Sequence, residues 1–343
     1  MRKLLNTLFI LTEDSYLALE NENVVVLNGE KKLGTFPLSI LEGIICFSYK
    51  GASPALMGVC ADKGIELRFM SPRGKILARV CGENRGNVLL RKKQYRISDD
   101  PALSCQAARN MILGKVFNMR WILERAAREH AMRLDVKAIK DVSQQLAQQL
   151  KSIGNADDLD SLRGLEGEAS ARYYSVFNQL ILNQKEDFVF EGRNRRPPLD
   201  NVNALLSFAY TILANNCASA LESVGLDSYV GFMHRDRPGR YSLALDLMEE
   251  LRGPLADRLV LSLINTRVIQ PKHFRSQPDG AVLLNDDGRK VFLNYWQERK
   301  RDTITHPYLQ EKIHWGLVPY VQALLLSRYL RGDLDGYPSF FWK

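Results

Sequence analysis

No Cys-x-x-Cys pair occurs in this sequence, and its five cysteines (Cys46, Cys60, Cys81, Cys105, Cys217) lie far apart. An odd, scattered set argues against a zinc ribbon and gives no support to a disulfide framework. A Walker A loop, a serine triad and a dinucleotide fingerprint are also missing. No apolar run approaches the roughly 20 residues that a membrane-spanning helix needs. Residues 1–14 mimic a short signal segment, but Asn6 interrupts it, Glu13 and Asp14 follow at once, and no small-residue cleavage site is present. The expectation there is a first strand, in a cytoplasmic protein without a membrane partner. Internal repeats and low-complexity tracts are absent too.

What is present fits a soluble globular chain. Hydrophobic residues make up 45% and charged residues 25%, which is ordinary for that class. The 343 residues suffice for a sizeable core and predict two domains. A net charge of +8 favours a polyanionic partner, although many basic proteins bind no nucleic acid.

Residues 1–92 read as β-rich. Short apolar runs at 16–20, 24–27, 34–37, 44–47, 65–70 and 75–80 are separated by turn signals, with Asn28-Gly29 as a hairpin and Ser71-Pro-Arg-Gly74 as a turn. Residues 53–60 suggest a short helix. This pattern predicts a small sandwich, either a dimerisation or DNA-contact platform or a purely structural module. Residues 85–96 hold five basic side chains and no acid, and 93–101 is expected as a linker. From 102 onward the period is helical, with helices expected at 102–133, 143–153, 163–182, 203–224, 291–301 and 314–331. Two prolines forbid a helix through the Arg-rich loop at 191–200. The fold class expected is therefore α+β: an N-terminal β-sandwich followed by a larger all-helical domain at 102–343.

One stretch concentrates chemistry: Gly231-Phe-Met-His234-Arg-Asp-Arg-Pro-Gly-Arg-Tyr-Ser242-Leu-Ala-Leu-Asp246-Leu-Met-Glu249-Glu-Leu-Arg252. His234 falls in a loop, Pro238 and Gly239 break the backbone, and Ser242 suits an N-cap. Asp246 and Glu249 share a helical face, while Glu250 points about 100° away and is expected in solvent. One imidazole with two carboxylates suits Mn²⁺ or Mg²⁺ better than a closed zinc site. Arg235, Arg237, Arg240 and Arg252, with Arg193, Arg195 and Arg196 upstream, suit a phosphate ester. A loop histidine beside a solvated helix is the plain alternative. A second candidate, Glu166, lies between Gly164 and Gly167 early in its helix, with Ser170, Tyr173 and Phe177 on roughly the same face. A carboxylate flanked by small residues suits a ligand in a crevice; an acid favoured by the helix dipole is the alternative. The other histidines lack an acidic helical pair.

Three ordered motifs carry a resemblance over nearly the whole chain: Gly164-Leu-Glu166-Gly-x-Ala-x-x-x-Tyr, Gly192-Arg-Asn-Arg-Arg-Pro-Pro-x-Asp-x-Val-Asn-Ala-Leu-Leu-Ser207, and the His234 to Arg252 stretch. The chain resembles the CRISPR-associated endonuclease/integrase of spacer acquisition, the universal adaptation protein, in its compact type I-C-like form. The resemblance implies a β-sandwich joined to a helical catalytic domain, a homodimer through the N-terminal domains, and a heterohexamer with a small ferredoxin-like CRISPR-associated partner. It implies that Glu166, His234 and Glu249 bind Mn²⁺ or Mg²⁺, with Asp246 as close support or an additional ligand. The implied reaction inserts short foreign DNA fragments into a CRISPR array by 3′-hydroxyl attack on a phosphodiester. Phosphate contacts are expected at Arg193, Arg196, Arg235, Arg237 and Arg252, although Arg193 and Arg196 could instead only brace their loop. A plain metal-dependent nuclease on DNA or RNA, and a catalytically silent nucleic-acid-binding scaffold, are the competing readings.

Overall fold

A computed structural model describes residues 6–71, 76–80, 82 and 88–343. Residues 1–5 of the expected first strand, 72–74 of the expected turn, Cys81, and 85–87 of the basic strip lie outside these. The chain divides into two compact units, one of residues 1–85 with 289–302, the other of 86–288 with 303–343.

Among the described residues the first unit holds two sheets. Strands β1 (Thr7–Ile10), β5 (Gly43–Cys46), β6 (Glu66–Met70) and β7 (Ile76–Val80) form one, in the order β1-β5-β6-β7. Strands β2 (Ser15–Glu20), β3 (Asn23–Asn28) and β4 (Lys31–Pro37) form the other, an antiparallel meander. The Asn28-Gly29 signal is realised as the β3–β4 turn, where Gly29 takes φ of 58°. β5 runs parallel to both its neighbours and is buried throughout, which explains its unbroken apolar run. Helix α1 (Pro54–Lys63) makes the crossover between β5 and β6. Ser53 caps it, accepting from Leu56 N–H, and Gly64 ends it in the left-handed region. Leu17, Val24 and Val26 from one sheet meet Ile44, Cys46 and Leu67 from the other in a single core with Leu56 and Cys60 of α1. Burying each such aliphatic side chain contributes about 1.5–3 kcal/mol.

The second unit is mostly helical. It contains α2 (Val88–Asp99), α3 (Pro101–Glu129), α4 (Val136–Gly154), α5 (Leu159–Ser175), α6 (Asn201–Ser223), α7 (Ser242–Leu251) and α8 (Arg258–Asn265). Helix α9 (Asp286–Arg301) starts here, and its residues from 289 onward belong with the first unit. There Gln297 donates to the Thr7 carbonyl at 2.9 Å. Helix α10 (Val318–Arg331) returns to the helical unit. Asp100, Asp135, Asp158 and Asp200 cap α3, α4, α5 and α6 by accepting backbone N–H bonds. Long α3 is the axis, packing on α4, α5 and α7. By length and composition α6 is long enough and apolar enough to cross a membrane, but most of its apolar window is buried inside this unit.

Two differences from the sequence expectations, and one irregular turn, have local causes. The helical unit is not all-helical, because β8 (Phe274–Ser276) pairs with β9 (Val282–Leu284) and β10 (Thr303–Thr305) with β11 (Lys312–His314). Residues 93–99, expected as linker, are helical. Leu90, Gln94 and Ile97 form a buried stripe there, and Gln94 donates to the carbonyls of Asp227 and Val230, both at 2.8 Å. After α7 the chain widens into a π-helical turn over Arg252–Asp257, where Pro254 has no N–H for the normal ladder.

Candidate metal centre

The loop at 231–241 folds back onto the start of α7. A Cβ at Gly231 would lie 2.8 Å from Ser242 Cβ and 2.9 Å from an Asp246 oxygen, so only glycine lets the loop approach this closely. Buried Asp246 then gathers the loop. Its Oδ2 accepts from the backbone N–H groups of Phe232 (2.6 Å) and Met233 (3.0 Å), and its Oδ1 from that of His234 (3.0 Å). The same Oδ1 lies 2.6 Å from His234 Nδ1. This leaves Nε2 turned towards Glu249 Oε1, 3.9 Å away. Ser242 is the first helical residue rather than the N-cap, because its hydroxyl donates to the Arg235 carbonyl.

Glu166 reaches the same place from α5. Its Oε1 accepts from Ser170 at 2.9 Å and from Lys115 of α3, while Tyr173 and Phe177 turn into the core. Lys115 Nζ also sits 2.7 Å from Glu249 Oε2, and Arg252 Nη1 lies 3.2 Å from that oxygen. Burial works to raise the Glu249 carboxyl, but Arg252, Lys115 and His234 hold it down at about 2. Burial likewise opposes the Arg252 charge, and Glu249 more than restores it. Arg252 stacks over Tyr210, 4.8 Å from the ring centre. The Tyr210 hydroxyl meets that of Tyr174 at 2.8 Å and donates to Asp257 at 2.5 Å. Burial pushes the Asp257 carboxyl up to about 6, against the pull of Tyr210 and Arg252.

The arginines divide into two groups. Arg193 spends its guanidinium on Asn203 (2.6 Å), Ser207 (3.0 Å) and the Asn194 carbonyl, and lies over Tyr210. Arg252 is occupied by Glu249 and Tyr210. By contrast, no carboxylate among the described residues lies within ion-pair distance of Arg195, Arg196, Arg237 or Arg240. Burial lowers the Arg240 pKa, and Arg237, Arg196 and Arg195 lower it further, so the two loops crowd their positive charge together. Arg235 is largely exposed, 3.5 Å from Asp160.

The donor set fits a divalent ion. A carboxylate that holds one imidazole nitrogen and frees the other is the usual support of a metal-ligating histidine. Donors each about 2.1 Å from one ion lie roughly 3–4 Å apart, and the His234–Glu249 separation falls in that range. Glu249 Oε2 is buried and held by the cations Lys115 and Arg252, and the space a Cβ would fill at Gly164 and Gly167 is open. Among the described residues, however, no three His, Cys, Asp or Glu side chains close on one point as they stand, for the Lys115 ammonium lies between Glu166 and Glu249.

Two participants escape the sequence pattern. Lys115 sits in a helix of mixed charge where a lysine ordinarily reads as solvated. Glu250, expected in solvent, is fully buried. Its oxygens accept from Phe340 N–H (2.6 Å), Gln322 (2.9 Å) and Tyr337, and burial pushes its carboxyl up to about 7. Gly114 makes room for it, since a Cβ there would lie 2.8 Å from Glu250 Cβ. The aromatic C-terminal tail hides Glu250, and only the run 337–342 signals that tail in the sequence.

The chain has relatives of known family and fold. Residues 8–298 match the family model described as CRISPR associated protein Cas1. The chain is 51% identical over 348 residues to a CRISPR-associated endonuclease Cas1 of Rhodospirillum rubrum, covering 100% of both chains. Its fold is similar to that of a casposase bound to integration product (TM-score 0.83, 20% identity, 98% of this chain and 94% of that one). It is also similar to part of a Cas6-RT-Cas1–Cas2 complex (TM-score 0.80, 23% identity, 98% of this chain and 36% of that one). The chain belongs to the CRISPR-associated Cas1 family.

Proposed function

We propose that this chain inserts short foreign DNA into a CRISPR array, with Glu166, His234 and Glu249 holding Mn²⁺ or Mg²⁺ and Asp246 orienting His234. As a member of the Cas1 family, it is a CRISPR-associated endonuclease and integrase of spacer acquisition. The observation that carries the metal assignment is the 2.6 Å contact of Asp246 with His234 Nδ1, which leaves Nε2 towards Glu249. When bound, the ion polarises a phosphoryl oxygen and lowers the pKa of the attacking hydroxyl. The residues around it bind and orient. Asp246 fixes the imidazole ring, Ser170 steadies Glu166, and Arg252 with Tyr210 anchors Glu249. Arg195, Arg196, Arg237 and Arg240, joined by Arg235, hold the phosphates of the DNA backbone. Arg193 braces its loop. The open space beside Gly164 and Gly167 admits the DNA strand next to Glu166.

In the reaction a 3′-oxygen forms a bond to phosphorus and a bridging phosphodiester oxygen leaves, so bonds of similar energy exchange and no ATP is required. Water in place of the 3′-hydroxyl gives strand cleavage. A homodimer is supported by β4, an outer strand exposing Leu33 and Phe36. A CRISPR-associated partner is supported by the Cas6-RT-Cas1–Cas2 complex, part of which has a similar fold; the proposed partner is small and ferredoxin-like, and the proposed assembly a heterohexamer. The proposed location is cytoplasmic.

The test incubates the chain and its partner with a short duplex bearing free 3′-hydroxyls and a repeat-bearing plasmid, with Mn²⁺ or EDTA. Joined strands are expected only with metal, and are lost in Glu166→Gln and Glu249→Gln. Hydrolysis products alone, or joining that survives in those variants, would overturn the proposal.

A further inference from the structure

Lys115 is the charged group at this site that the reaction above does not use. It follows Gly114 on α3, and its side chain is 1% exposed. A buried ammonium is tolerated only when paired. Here both partners, Glu166 Oε1 and Glu249 Oε2, belong to the proposed metal donors. No other described side chain forms an ion pair with both. Two carboxylates brought onto one side chain repel each other unless positive charge lies between them. Lys115 supplies one such charge where a divalent ion would supply two. Arg252 lies 3.2 Å from Glu249 Oε2 but forms no ion pair with Glu166 among the described residues, so compensating both carboxylates at once requires the ammonium or a metal ion.

We propose that Lys115 is a built-in stand-in for the metal: its ammonium holds Glu166 and Glu249 together before metal arrives, competes for their oxygens, and gives way on loading. The inference rests on the metal reading above. It makes Lys115 a positioning residue that sets how much divalent ion the site requires, and it explains why the acids do not close on one point while the lysine stands between them.

The test is Mn²⁺ binding to the full-length chain without DNA, followed by electron paramagnetic resonance of free Mn²⁺ and by thermal melts in Mn²⁺ and in EDTA. Removing one like charge at ion-pair range should tighten Mn²⁺ binding by about tenfold or more in Lys115→Met. The same variant should gain more melting temperature from Mn²⁺ than the wild type gains. Lys115→Arg, which keeps the charge, should stay near the wild-type affinity. Unchanged or weaker Mn²⁺ binding in Lys115→Met, with wild-type binding intact, overturns the stand-in role alone. Absence of Mn²⁺ binding in the wild type and every variant overturns the metal reading and this inference with it. Should Lys115→Met fail to fold in EDTA, Mn²⁺ is expected to restore its folded circular dichroism spectrum, because the ion then supplies the missing charge. Failure to restore it counts against the proposal.

Discussion

Asp246 Oδ1 lies 2.6 Å from His234 Nδ1, and the same carboxylate accepts three backbone N–H groups from the loop that carries His234. One side chain thus fixes both the path of the loop and the orientation of the ring. Asp246→Asn keeps the volume but turns an amide N–H₂ against donors. The expected outcome is a loss of about 2–4 kcal/mol in stability and a 10- to 100-fold loss of Mn²⁺ affinity, read by denaturant unfolding and calorimetric titration. Full metal affinity in a variant of lowered stability would show that Asp246 shapes the loop without orienting the ligand.

The C-terminal tail closes the far side of the same helix. Phe340 N–H and the Tyr337 hydroxyl donate to Glu250, next in sequence to Glu249. Asn118 of α3 donates to the Glu250 and Phe340 carbonyls, both at 2.7 Å. Truncation after Gly336 strips these donors from a buried carboxylate. It should destabilise the helical unit by about 2–5 kcal/mol and weaken Mn²⁺ binding. A truncated chain with unchanged melting temperature would show that the tail merely covers the surface.

Part of this arrangement is legible in the sequence, for a physical reason. His234 lies between Gly231 and the Pro238-Gly239 break, which marks its loop, and helical spacing puts Asp246 and Glu249 on one face of α7. Glu250 was legible only as the outside of a two-sided helix. A helical wheel assumes one solvent face, whereas α7 is enclosed on every side, partly by a tail from the other end of the chain. The strands of the first unit follow from their turn signals, but the membership of 289–302 in that unit leaves no local trace. The helix at 88–99 was hidden because its basic residues outnumber the buried stripe of Leu90, Gln94 and Ile97.

Asp257 provides the pH signature. Burial raises its carboxyl to about 6 in the folded protein, from an ordinary value of 3.8. Between those values the folded state binds more protons than the unfolded state. Its contribution to stability is therefore full below about pH 4, is lost as pH rises to about 6, and stays constant above that. The span amounts to about 3 kcal/mol at most. Asp257→Asn carries no such titration. Urea unfolding of the two proteins from pH 4.5 to 7.5 should show the variant gaining on the wild type as pH rises. A difference independent of pH would mean that the Asp257 carboxyl titrates alike in both states.

The division among the arginines is testable through salt. Arg196 and Arg237 make no ion pair among the described residues and crowd Arg240 with positive charge, so each is available to a phosphate. Arg193 is committed to Asn203 and Ser207. Each phosphate contact releases about one counterion, so its loss flattens the dependence of log affinity on log salt by about 1. Arg196→Ala and Arg237→Ala should each weaken duplex binding at low salt and reduce the slope by that amount, with melting temperature unchanged. Arg193→Ala should leave the slope intact and lower the melting temperature, because Asn203 and Ser207 then lose their partner inside the loop. A slope change in Arg193→Ala equal to the others, measured by fluorescence anisotropy across salt concentrations, would return Arg193 to the DNA-binding face and break the distinction between bracing and binding arginines.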